Sequence, residues 1–311
     1  FRRVLFRSSD VLTEKFRVKT NDTAYRNQCL GSFLYDLQNE LVINSEYDVL
    51  KSESEFLFDS HIKHLNSNDI LVLDRGYQSY SVMSCLITNN IDFVLRLKSS
   101  YSYKIVDDFM LSQENDITID LNCTVKTKSI VESNNFDKTI KVRLVKVILP
   151  NKDIEILCTT LFDYSIDQLK EIYSLRWSIE TYFNRLKNLF ELERFSSKSI
   201  IGFEQDFYGL VFLANLESVL IKDSEETIEQ NNSHRKYQYK VNRSVSYSVL
   251  INNVTDIFFN SKLNDQEIVR KLEELFQVNP VIVKPNRIYP RKKINHPRKV
   301  RYNAYEKRVS S

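Results

Sequence analysis

The chain has 311 residues, 42% of them hydrophobic and 27% charged, the balance of a globular protein with room for one large domain or two small ones. No apolar run reaches the roughly 20 residues that span a bilayer, and the best candidate, 207–221, is interrupted by Asn215 and Glu217; a membrane-spanning protein is therefore excluded and a cytoplasmic location is expected. The net charge of +3 conceals an asymmetry, because residues 284–311 carry +9 and the first eight carry +3, leaving −9 on residues 9–283.

In chain order, the apolar-rich stretch 31–37 reads as a strand, and 54–65, with Phe56, Phe58, Ile62 and Leu65, reads as a helix. Ile70 to Leu73 is a short apolar run with the pattern of a buried strand. Asp74 closes it, and Gly76 allows a sharp turn just beyond. A carboxylate at the carboxyl end of a buried strand is where open α/β sheets hold ligands, although Asp74 fits a helix cap equally well. A helix over 79–89 and a strand over 93–97 complete an α/β pattern across residues 9–98. His61 and His64 are three apart with no cysteine near them in sequence, so zinc is not expected; Cys29, Cys85, Cys123 and Cys158 form no CxxC pair and read as reduced core thiols.

The pattern then changes. Residues 116–127 alternate with period two, and 139–149 and 154–159 follow as strands without helices between them. An antiparallel β-rich insertion over 99–163 is expected. From Ser165, an N-cap residue followed by Asp167, the chain turns helical across 164–260. Helices are expected over 207–220, 247–259 and 265–276, with the acidic and polar stretch 224–235 as an exposed loop. Pro280, Pro285, Pro290 and Pro297 make the C-terminal part of 261–311 extended. Its cations, interleaved with Tyr289, Tyr302 and Tyr305, suit sequence-independent phosphate contacts or, equally, a solvated terminus.

The most informative stretch is 173–187, where Tyr173, Arg176, Glu180 and Lys187 follow the spacing Y-x2-R-x3-E-x6-K. On one straight helix advancing about 100° per residue, all four fall within roughly 60° of one another. A carboxylate flanked by two cations and a phenol suits a metal-bound phosphodiester, with Arg176 and Lys187 on phosphate oxygens and Glu180 on the metal. Arg176 and Glu180 also fit an ordinary i, i+4 salt bridge. Ile172, Leu175, Ile179, Phe183, Leu186 and Phe190 make an apolar face beside the polar one, and Trp177, the single tryptophan, is expected to wedge the helix against a neighbour.

Asp74-Arg75-Gly76-Tyr77 together with the 173–187 signature resembles the DDE transposases of bacterial insertion sequences, in the cut-and-paste subgroup known by its Y, R, E and K residues. Residues 32–39, 237–244 and 287–293 resemble further landmarks of that family, and the likeness runs from about Ser9 to Arg308. It implies an RNase H-like mixed sheet with helices, interrupted by a β-rich insertion where 99–163 lies. It also implies a two-metal Mg²⁺ site with Asp74 and Glu180 as catalytic metal ligands, and Tyr173, Arg176, Lys187 and Arg75 on DNA phosphates. The implied partners are double-stranded DNA (terminal inverted repeats and target DNA) and a second copy of the chain. The implied reaction is hydrolysis at element ends followed by strand transfer.

One part of the pattern is missing. The family's first carboxylate sits in an Asp-Gly-Ser or Asp-Gly-Thr triplet, which Ser9-Asp10-Val11 continues, so the Asp falls where this chain has Arg7. Residues 1–8 read as a translated sequencing-adapter scar, to be set aside in fold reasoning, and Asp10 is a weaker substitute for the absent acid. With one ligand gone, this polypeptide is expected to be inactive. Two other classes stay open: a transposase-derived DNA binder without turnover, and a metal-dependent nuclease of the same fold.

Overall fold

The computed structural model describes residues 2–5, 9–21, 24–98, 103–148, 153–192, 195, 197–259 and 264–283, with backbone alone at 2–5, 19–21, 24–26 and 265. The elements in chain order are β1 (Arg2–Leu5), α1 (Asp10–Phe16), β2 (Arg17–Asn21), β3 (Ala24–Asp36), β4 (Leu41–Asp48), α2 (Glu53–Asp59), β5 (Ile70–Leu73), α3 (Tyr80–Thr88), β6 (Asp92–Arg96), α4 (Lys104–Leu111), β7 (Asp116–Asn122) and α5 (Lys128–Ser133). After these come β8 (Thr139–Ile148), β9 (Ile154–Thr159), α6 (Ile166–Leu175), α7 (Trp177–Asn188), α8 (Ile200–Asn232), β10 (Gln238–Lys240), α9 (Arg243–Phe259), α10 (Asp265–Phe276) and β11 (Val281–Val283). Short 3₁₀ turns lie at His61–His64 and Arg75–Tyr77. The chain divides into two compact units, one drawing on residues 1–3, 30–37 and 43–181 and the other on 4–29, 38–42 and 182–311. Among the described residues no helix is long and apolar enough to cross a membrane.

The first unit is built on a five-stranded sheet in the order β5-β6-β9-β8-β7. β5 and β6 are parallel, joined through α3, and the other neighbours are antiparallel. Alternation along each strand sorts the core into two faces. Phe93, Leu95, Ile140, Val142, Leu144, Ile156 and Cys158 join α3 in one cluster, while Val94, Val145, Val147 and Leu157 join Leu169 of α6 in the other. Both faces are covered, which is why these strands read as nearly continuous apolar runs. The mixed α/β class is as expected. The strands of the 99–163 stretch bond directly onto β6 through β9, so they extend the same sheet as β5 and β6.

The predicted helix over 54–65 stops at Asp59 and passes into the 3₁₀ turn. There His61 is buried and both ring nitrogens are engaged, Nδ1 at 2.7 Å from Asn44 Oδ1 and Nε2 at 2.5 Å from the Ser32 hydroxyl. The carbonyl oxygen of Asn44 can only accept, so Nδ1 donates and Nε2 accepts from Ser32. Residues 2–5, set aside as foreign in the sequence, are extended as β1.

In the second unit α8 runs 33 residues. The exposed loop expected over 224–235 is corrected by this helix, which continues to Asn232. Ile221, Ser224 and Ile228 recur at helical spacing and are buried; the two isoleucines pack with Ile268, Leu272 and Phe276 of α10, and the Ser224 hydroxyl donates to the Glu273 carbonyl. Acidic composition suggested a loop, but the face turned to α10 is apolar. Asn215 clasps the backbone of Val42, accepting from its N–H and donating to its carbonyl, each at 2.8 Å. α1 is capped by Ser9 and packs Phe16 edge-on to Phe203, ring centroids 5.1 Å apart.

Candidate active site

Asp74 follows β5 as Arg96 ends β6, and the parallel register Leu73↔Leu95 sets these two residues side by side at the carboxyl ends of adjacent strands. Asp74 Oδ1 accepts the Gly76 N–H at 2.8 Å, so the capping role does apply, to the 3₁₀ turn Arg75–Tyr77; α3 has its own cap, Ser79. Asp74 and Arg75 are exposed. A Cβ at Gly76 would lie 2.9 Å from Asp74 Oδ1 and 2.9 Å from Glu53 Oε2, so both carboxylate ends would have to shift to admit one. The carboxylates of Glu53 and Asp74 therefore flank one point.

Glu53 was not singled out in the sequence. It opens α2 beside Ser52, where a first-turn acid is unremarkable, and the capping box of that helix is made by Ser52 and Glu55. The box leaves Glu53 free to turn toward Asp74, a pairing that comes from the fold alone. Burial holds the Glu53 carboxyl above its usual pKa range, and the Asp74 charge adds to this. The Tyr77 phenol is pushed well up by burial and then by both carboxylates.

Tyr173, Arg176 and Glu180 reach the same unit on α6 and α7. A capping box of Ser165 and Gln168 starts α6. The single straight helix expected over 173–187 is corrected: α6 ends at Leu175, and the chain passes through Arg176 in a tight turn. The Arg176 N–H bonds to the Tyr173 carbonyl at 3.2 Å, and its carbonyl takes the Ile179 N–H at 3.3 Å, both three-residue steps. Arg176 keeps right-handed helical dihedrals, φ −51° and ψ −30°, and on either side Leu175 is 40% and Trp177 54% exposed; Trp177 is not the expected wedge.

Arg176 still meets its i, i+4 partner. Its Nη2 donates to Glu180 Oε1 at 2.8 Å, and its guanidinium carbon sits 5.7 Å from the Tyr173 ring centre. Burial works to lower the Arg176 pKa; the Glu180 hydrogen bond and the nearby Tyr173, Glu180 and Asp74 hold it above its usual value. Arg176 thus feels both predicted acids. The Tyr173 hydroxyl is buried with no hydrogen-bond partner, and burial raises its pKa against the opposing charges of Arg176 and Arg96. Lys187 lies on α7 two turns beyond Glu180 and is exposed. Asp10 is the exposed first residue of α1, in the second unit. Arg7 and the basic tail from 284 onward lie outside the described residues.

Asp74 and Glu53 present hard oxygen donors, the type that Mg²⁺ takes. Among the described residues, however, no group of three acids, histidines or cysteines gathers closely enough to hold an ion; Glu180 is engaged by Arg176. The arrangement offers two carboxylates at one point, Asp74 and Glu53, with the Arg176 charge within reach of Asp74; acids for a cation and an arginine for phosphate oxygens suit a phosphodiester.

No curated protein matches the chain. Among solved structures, a cryo-EM structure of a piggyBac transposase synaptic complex with hairpin DNA resembles it at 13% identity and a TM-score of 0.42, over 88% of this chain and 51% of that one, so the chain spans about half that transposase's length. The profile of the transposase DDE domain family matches residues 8–216, well over half of the chain, and the chain belongs to that family.

Proposed function

We propose that the chain is the catalytic part of an insertion-sequence DDE transposase, a fold that would cleave phosphodiesters at element ends and join them to target DNA, and that it is inactive as it stands because Arg7 occupies the place of the first carboxylate. The observation that supports this most is Arg176, bonded to Glu180 and within the field of Asp74 at the carboxyl ends of β5 and β6. This supports the reading, since one cation of the signature interacts with both of its acids.

Asp74 and Glu180 would hold a divalent ion, with Glu53 beside Asp74. When bound, such an ion activates the attacking oxygen and stabilises the leaving one. The chain's own groups bind and orient the DNA. Arg176 offers a planar fork to a phosphate. Arg75 and Lys187, both exposed, would each add a phosphate contact, and Tyr173, whose hydroxyl is buried, would reach a phosphate only after local movement. The partners in this reading are terminal inverted repeats, target DNA and a second copy of the chain, with Mg²⁺ as the ion.

Binding of a labelled duplex, followed across salt concentration, tests the reading. The affinity is expected to fall as salt rises. Lys187→Ala or Arg75→Ala is expected to weaken binding to all sequences alike and to flatten the salt dependence by about one unit of slope each. Salt-independent binding, or binding untouched by both substitutions, would exclude these roles.

A further inference from the structure

Arg185 lies on α7 between Glu180 and Lys187 and is not part of the Y, R, E, K signature. The second unit surrounds it with charge. Arg185 Nη2 is 3.2 Å from Glu40 Oε2, and Arg243 Nη2 donates to that same oxygen at 2.6 Å. Arg243 Nη1 is 3.6 Å from Glu217 Oε2, and the other Glu217 oxygen takes the Ser246 hydroxyl. Two acids and two arginines thus meet from the turn before β4, α7, α8 and α9. The side chains of Arg185 and Glu217 are only 13% and 1% exposed.

This network is poorly suited to stabilising the fold. Arg185 Nε, Arg243 Nη1 and Glu217 Oε2 are buried without hydrogen-bond partners. Glu40 is held at φ 56°, a conformation uncommon for residues other than glycine. Burial raises the Glu217 pKa and lowers that of Arg243. Apolar side chains of similar volume would serve folding as well or better. What the ions fix is geometry. Residues two apart on a helix project to nearly opposite sides, so Arg185 is turned inward while Lys187 is exposed.

We propose that Glu40 and Arg185 are positioning residues that pin the last turns of α7 and so deliver Lys187 to a DNA phosphate at a fixed place. The proposal rests on the reading of Lys187 as a phosphate contact. Arg185→Met is a suitable probe, because Glu40 keeps Arg243 and no buried acid is stranded; Glu40→Gln is the second variant should the first fail to fold.

The test combines a double-mutant cycle with hydrogen exchange on the full chain. Duplex affinity is measured for wild type, Lys187→Ala, Arg185→Met and the double variant, with amide exchange followed along α7 and α10. Each single change is expected to weaken binding about fivefold, the scale of one phosphate contact, and the double no further than either. Exchange at 182–188 is expected to quicken in Arg185→Met while α10 stays unchanged. Losses that multiply in the double variant, wild-type affinity in Arg185→Met, or unchanged exchange in α7 would overturn the clamp. Wild-type affinity in Lys187→Ala would instead overturn the phosphate-contact reading, and the exchange result would still decide whether Arg185 holds α7.

Discussion

Gly76 and His61 show how single residues shape the acidic end of β5 and its surroundings. Gly76 leaves room for two carboxylate ends that a Cβ would push aside. His61 is an internal fastener: burial lowers its pKa to about 4, against a smaller opposing effect of Glu46. The unfolded chain takes up that proton near 6.5, so the stabilisation is whole above pH 6.5 and is lost as pH falls toward 4, up to about 3 kcal/mol. Urea denaturation at pH values inside and above this window is expected to show wild type losing more stability on acidification than His61→Gln. Parallel losses would contradict the role assigned to the ring. At this scale the sequence marked Asp74 and Glu180 by their motifs, but it gave no sign of Glu53 or of the Ser32–His61–Asn44 chain, since both depend on contacts between elements distant in sequence.

Among elements, β8 does more than fill the sheet. Arg143 uses its whole guanidinium: Nε and Nη2 bond Asp116 at 2.9 and 2.6 Å, and Nη1 donates to the carbonyls of Leu161, Phe162 and Tyr164 at 2.9, 3.0 and 2.6 Å. Those carbonyls lead directly into the Ser165 cap of α6, the helix that ends at Arg176. Arg143→Met is expected to destabilise the protein by about 3 kcal/mol, because three carbonyls and a carboxylate lose their donor; a loss below about 1 kcal/mol in urea denaturation would show that water replaces it. Period-two alternation located β7, which has one buried face, and β8 and β9 were located by their apolar β-branched runs, buried on both faces. The turn at Arg176 was not legible: nothing between Ser174 and Ile179 is a helix breaker, and the wheel that aligned Tyr173 with Glu180 assumed a straight axis. The end of α8 was misread because its acids and terminal asparagines dominate the composition, while the face that meets α10 rests on only Ile221, Ser224 and Ile228.

On the scale of the whole molecule, family membership was legible because the signature and the residues after β5 carry chemistry in a fixed order, and the match over residues 8–216 agrees. The fold sets Glu53 beside Asp74 and Arg176 against Glu180 and Tyr173, all within one unit. On this reading the neighbourhood cuts DNA once the acid expected at position 7 is supplied. The most direct measurement is Mg²⁺-dependent cleavage of duplex ends, taken from the DNA flanking the gene, by the chain carrying Arg7→Asp. That protein is expected to cut at the element ends and join them to target DNA, with activity lost on adding Asp74→Asn or Glu180→Gln. Cleavage that survives Asp74→Asn, or binding of the ends with no cleavage by Arg7→Asp under any divalent ion, would contradict it.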